Sequence, residues 1–219
     1  MPQYINHELW KRTIPAAISV ISVIFVLSCK GGGKGSEKKT NYKPEIEKGI
    51  ASLKQGDLVL RKGRDIASYM ISQSNVKDRS YSHCGLVQIE NGYPFVYHSI
   101  DGQGKGRFGL QRDSAWVFFS SANNSGAAIM RYPLTGEQLQ EQAEQIRYYY
   151  GKKAAFDLDF DMQTSDRLYC TEFVYRVMNA VAKDSAFIKT AVKKGFEYVP
   201  VDNLYTDGLA NDIWRITFK

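Results

Sequence analysis

The sequence predicts an α+β domain in which an antiparallel sheet packs against a helix that carries a cysteine, and four stretches say so. Asn91-Gly92 sits between two strand-like runs in Tyr81–Ser99, the strongest short signal for a two-residue type I′ hairpin. Phe173, Val174, Val177, Met178 and Val181 recur at helical spacing just after Cys170. Leu58-Val59-Leu60 and the alternating Ile213–Phe218 supply further strands, the first of them buried.

The chain opens with Lys11 and Arg12 ahead of the apolar run Ile14–Leu27. That run falls short of the roughly 20 apolar residues of a spanning helix but suits the core of a signal peptide, so residues 1–28 are expected to direct export. Its end, Val26-Leu27-Ser28-Cys29, resembles a lipobox, which makes Cys29 the expected lipidation site and the protein a membrane-anchored lipoprotein of the bacterial cell envelope. Residues 29–41 are rich in Gly and Lys and carry no apolar residue after Cys29, the composition of a flexible linker. Lys11 and Arg12 outweigh Glu8 by one charge, and four lysines outweigh Glu37 by three. Of the formal +6, only +2 is therefore left from Tyr42 onward, which removes the argument for nucleic-acid binding. A basic linker beside an anchored cysteine suits anionic headgroups.

Residues 42–219 are expected to form one domain, since neither a repeat nor a second linker divides them. Pro44–Leu53 reads as an opening helix with Ile46, Ile50 and Leu53 on one side. Asp65–Ser72 reads as a second, with Ile66, Tyr69 and Met70 at i, i+3 and i+4. Gly102–Asp113 carries no readable motif, and Ala115–Ser120 and Ala127–Tyr132 read as strands joined by a polar turn. Thr135 caps a helix running to about Tyr150, and Ala155–Phe160 alternates like a short strand. Asp157, Asp159 and Asp161 open like a calcium loop, but the Gly and Glu that an EF-hand needs further on are missing. Ser165 and Asp166 are expected to cap the last long helix, placing Cys170 in its first turn. Unpaired backbone N–H groups and the positive end of the helix dipole favour a thiolate there.

The Asn91-Gly92 turn fixes a register in which Glu90 faces Tyr93, Val87 faces Val96 and Gly85 faces His98. His83, two residues from Gly85, then lies on the same face as His98 and diagonal to it, while Cys84 points to the opposite face. Two cysteines in the domain do not make a disulfide framework, although an exported protein permits one bond between them. A zinc site is not expected, because neither histidine has a second ligand at metal spacing.

Gly56-Asp57-Leu58-Val59, Tyr81-Ser82-His83-Cys84-Gly85-Leu86-Val87, Phe156-Asp157 and Tyr169-Cys170-Thr171-Glu172-Phe173-Val174 follow in order the motifs of the permuted papain-like amidohydrolases (YiiX/YaeF-type, NlpC-related). The resemblance covers roughly residues 50 to 180 and implies the permuted papain-like (NlpC-type) fold, in which the histidine strand precedes the cysteine helix. It implies Cys170 as nucleophile, His83 as its base and His98 as the orienting third residue, with acyl transfer through a thioester and no cofactor. His98 stands where the family often has Glu, and a His-His-Cys set is also similar to the lecithin:retinol acyltransferase relatives. The expected activity is that of a cysteine amidase or peptidase acting on a peptide or amino-acid amide, in cell-wall peptides for example. The alternatives are an enzyme of lipid acyl groups and an inactive surface-binding lipoprotein.

Overall fold

The computed structural model describes residues 40–102, 108–164 and 166–219. Cys29, the expected export segment and most of the expected linker lie outside these residues, as does Ser165. Thr40–Lys219 forms one compact α+β unit. Its centre is a six-stranded antiparallel sheet in the order β4-β3-β2-β1-β5-β8. The strands are β1 Leu58–Gly63, β2 His83–Glu90, β3 Tyr93–Ile100, β4 Gly109–Ser114, β5 Asn124–Arg131 and β8 Asn211–Thr217. A separate hairpin pairs β6 Ala191–Lys193 with β7 Phe196–Tyr198. The helices are α1 Lys43–Ser52, α2 Ile66–Gln73, α3 Ala115–Phe118, α4 Gly136–Gly151 and α5 Cys170–Ala182.

Alternation along the strands builds two cores. Leu58, Leu60, Cys84, Leu86, Ala128 and Met130 face α4 and α5, meeting Ile146, Phe173, Val174, Val177 and Met178. Val59, Val87, Val96, Ala127 and Ile129 face the other way, onto Ile46 of α1, Phe118 of α3 and neighbouring Phe119. With both faces covered, β1 carries a continuous apolar run instead of an alternation. Asp57, fully buried at the start of β1, is satisfied by Arg131 through bonds of 2.7 and 2.8 Å and by the Lys54 N–H at 2.8 Å.

The hairpin has the register read from the sequence, Glu90↔Tyr93 through Leu86↔Tyr97. Asn91 and Gly92 hold φ of 51° and 82°, the two left-handed residues that a type I′ turn requires. Thr135 caps α4 by accepting the Gln138 N–H at 3.2 Å, and the Gln138 side chain returns to the Thr135 N–H at 3.0 Å.

Four local expectations are corrected. The segment 109–114 is a strand, β4, although its sequence GLQRDS has no apolar alternation; it is an edge strand held by its pairing with β3, with only Gly109 and Leu110 buried. Ala115–Phe118, rich in strand formers, is a short helix started by Ser114, whose hydroxyl accepts the Val117 N–H at 3.4 Å. Ala155–Phe160 is not a strand: Ala155 makes one bridge to Arg167, and the buried Asp157 carboxylate folds the chain back by accepting the N–H groups of Asp159 and Asp161. The cysteine helix starts at Cys170 itself, with Tyr169 and not Asp166 as its cap residue.

One apolar stripe faces outward. Ile66, Tyr69 and Met70 of α2 are 80%, 58% and 67% exposed, and Val192 and Phe196 of the β6–β7 hairpin are exposed beside them, the two elements being tied by the Tyr198 hydroxyl donating to the Ser74 carbonyl at 2.8 Å. At the far end of the unit, the Tyr42 hydroxyl accepts the Lys219 N–H at 2.6 Å and its ring packs edge-on against Phe218.

Candidate active site

His83 opens β2 and His98 lies near the end of β3, on the face that alternation assigns to both. Their rings meet edge to face, with His83 Nε2 2.8 Å from His98 Nδ1. Gly85 makes this approach feasible, because a Cβ there would stand 2.6 Å from Val96 Cγ1 and 2.8 Å from the Tyr97 carbonyl. Phe118 of α3 closes the pair from beneath, its ring centroid 5.3 Å from that of His98 and 6.0 Å from that of His83.

The next partner carries no signal in the residue pattern. Asp113 of β4 reaches His98, Oδ2 to Nε2, at 3.1 Å. A carboxylate only accepts, so His98 carries its proton on Nε2, leaves Nδ1 as an acceptor, and takes the proton on His83 Nε2. That assignment leaves the lone pair of His83 on Nδ1. Burial, the Arg61 guanidinium opposite on β1 and the neighbouring His98 together hold the His83 pKa well below the ordinary imidazole value. His83 is therefore a neutral imidazole at pH 7.

Cys170 is the first residue of α5. The Cys84 thiol beside its sulfur, and the backbone N–H groups at the start of α5 and at Cys84, favour its ionised form. The Cys84 thiol is the largest influence, and with those amides it outweighs burial, so that the Cys170 pKa falls below that of an ordinary thiol. Cys84 moves the opposite way: burial first, then its bond to Cys170, push its pKa well up. Both thiols are free. The alternation that separates Cys84 from the histidines thus puts it against the cysteine helix.

Several side chains fix where Cys170 sits. The buried Ser99 hydroxyl, one residue from His98, donates to the Leu168 carbonyl at 2.6 Å and so ties the β3 end to the segment entering α5. Thr171 donates to the Val199 carbonyl at 2.7 Å, and the Tyr169 hydroxyl accepts the Val199 N–H at 3.1 Å. Glu172 takes the Tyr169 N–H at 3.3 Å and Arg176 Nε at 2.8 Å, and burial still pushes its carboxyl up to about 7.

Cys170, His83, His98 and Asp113 all line one cavity of about 1030 Å³, together with Arg61 and Thr171. Its remaining wall is largely apolar and includes Met70, Ile71, Phe156, Phe160, Phe196 and Val199. Among the described residues no hydrogen bond joins His83 to Cys170, and the cavity is what they share.

No family model matches the chain. It is 27% identical over 122 residues to YiiX of Escherichia coli K12, an uncharacterized protein, and the match covers 56% of this chain. The chain spans about half the length of that relative, 55%. The crystal structure of YiiX from Escherichia coli O157:H7, described as a metalloprotein, superposes with a TM-score of 0.62 at 18% identity, over 76% of this chain and 99% of that one. Sequence and fold are thus both YiiX-like. The residues here do not fit a bound metal: among the described residues no group of three or more His, Cys, Asp or Glu side chains is placed to hold an ion. The two imidazoles are bonded to each other instead of converging on a common centre.

Proposed function

We propose that this YiiX-like chain is a cysteine hydrolase of the permuted papain-like type, exported and lipid-anchored through Cys29, that cleaves an amide bond through a thioester on Cys170. The observation that carries the reading is one cavity shared by a thiol of lowered pKa at a helix start and by the ordered chain His83-His98-Asp113. The Cys170 sulfur attacks the carbonyl carbon, and the carbonyl oxygen takes up the negative charge near the N–H groups at the start of α5. His83 Nδ1 accepts the thiol proton and passes it to the departing amine. It then removes a proton from the water that hydrolyses the thioester. His98 and Asp113 hold the tautomer that presents Nδ1 and stabilise the imidazolium that forms. His83 and Cys170 share the cavity without a bond between them in the resting protein.

Iodoacetamide labelling at pH 7, read by peptide mapping, tests this. Cys170 should be modified at least about tenfold faster than Cys84, because the thiolate is the reacting form and Cys84 is both buried and held protonated. Equal or reversed rates would leave a binding lipoprotein as the better account.

A second reading has its own support. The apolar cavity wall and the exposed Ile66, Tyr69 and Met70 beside it suit a long acyl chain, and the same thioester chemistry then acts on lipid acyl groups. Assaying wall peptides and acyl lipids side by side decides between the substrates.

The anchor is tested separately. Cys29→Ala should move the protein out of the membrane fraction or leave it unprocessed, and unchanged retention with an unmodified mature N-terminus would count against lipidation.

A further inference from the structure

Cys84 has no part in the hydrolysis beyond its influence on Cys170, yet it is placed as no inert core cysteine needs to be. It is fully buried on β2 with Leu60, Leu86, Phe173 and Val174 in the same core cluster as Cys170, and each of the two thiols is a neighbour that shifts the ionisation of the other. The two residues lie far apart in sequence and are brought together by the packing of α5 on β2. Access is one-sided: Cys170 lines the cavity and Cys84 is sealed behind it.

We propose that this pair is a modification site, in which a peroxide oxidises Cys170 and Cys84 captures it as a reversible disulfide. In the first step the Cys170 thiolate attacks one peroxide oxygen: an S–O bond forms, the O–O bond breaks, hydroxide leaves, and sulfur is oxidised as peroxide is reduced. In the second step Cys84 sulfur attacks the sulfenic sulfur of Cys170: the S–S bond forms, the S–O bond breaks, and the Cys84 proton leaves with that oxygen as water. Together, two thiols and one hydrogen peroxide give one disulfide and two waters.

The order of the steps is built into the contact. Burial and the neighbouring Cys170 sulfur push the Cys84 pKa well up while that of Cys170 is lowered, so Cys170 is the thiol that ionises first. Oxidation to the neutral sulfenic acid removes the negative sulfur, which makes Cys84 easier to ionise when its partner becomes electrophilic. The consequence is protection, because a sulfenic acid captured by a thiol does not advance to the irreversible sulfinic acid.

The test uses the full chain treated with hydrogen peroxide, blocked with N-ethylmaleimide, digested and read by mass. Expected is a Cys84–Cys170 cross-linked peptide pair lighter by two hydrogens and restored by dithiothreitol. In Cys84→Ala and Cys84→Ser the cross-link is absent, dimedone traps Cys170, and sulfinic Cys170 accumulates at least about fivefold faster than in the wild type. Should both variants fail to fold, the wild-type cross-link alone decides. The proposal is overturned if wild-type Cys170 passes to the sulfinic acid without a cross-link, or if the cross-link pairs Cys170 with another thiol. Mass is read and not turnover, so a cross-link in a chain without hydrolase activity would sink the proposed function and leave this inference standing.

Discussion

Cys170→Ser is expected to abolish turnover of an amide substrate, with a loss of about 10⁴-fold or more, while the thermal unfolding midpoint stays near that of the wild type. The size follows from chemistry: a serine hydroxyl at the start of α5 has the same amides around it but remains protonated, and His83 is not bonded to it in the resting protein. Cys84→Ser keeps a hydroxyl beside Cys170 and should cost far less, about tenfold or under, at the scale of one weakened hydrogen bond. The assignment of the nucleophile is lost if Cys170→Ser remains active or if the two variants fall equally.

The second large effect belongs to the proton chain. His83→Ala removes the lone pair to which the proposed mechanism assigns the thiol proton and should lower kcat about 10³- to 10⁴-fold. His98→Ala should lower it less, because His83 survives without its tether. Asp113→Asn is the informative variant: an amide can donate to His98 Nε2, which moves the His98 proton to Nδ1, turns that nitrogen from acceptor to donor and forces the opposite tautomer on His83. A loss larger than that of His98→Ala is expected, in the unusual order in which an isosteric change costs more than a truncation. The pH profile offers an independent check. His83 must be unprotonated to act, and its pKa lies well below 6.5, so the acid limb of kcat/KM should fall below the ordinary imidazole value. An acid limb at or above 6.5 would contradict a neutral, Arg61-flanked His83.

Some of this site could be read from residues alone. Asn91-Gly92 determines the hairpin register, and period-two alternation then puts His83 and His98 on one face, because a turn with two left-handed residues tolerates few lengths. That Cys170 lies in the first turn of α5, ahead of an amphipathic stripe, was equally open to reading, whereas the cap was not, because Tyr169 stands where Asp166 was expected. Asp113 was not, since GLQRDS gives neither an alternation nor a turn signal and earns its place as an edge strand only once β3 is there to pair with. Ala115–Phe118 misled because its side chains favour strands, while the Ser114 cap and the aromatic plug of Phe118 and Phe119 into the second core make a helical turn. Alternation told that Cys84 faces away from the histidines, and what covers that face is a tertiary fact beyond the reach of local pattern.

The clasp between Tyr42 and Lys219 bears on the order in which these parts occur along the chain. With its two ends touching, the domain is nearly a closed ring, and what comes first depends on where the ring is cut. A chain joined from Lys219 to Asn41 and opened in the turn before Gly136 would run α4, the cysteine helix, then the histidine hairpin, with the same bonds around Cys170 and His83. Such a rearranged protein should keep the native far-ultraviolet spectrum and a melting midpoint within a few degrees, about the scale of a 1 kcal/mol change in a domain of this size. Sequence order and spatial order are then separate properties of the site, and only the second enters its chemistry.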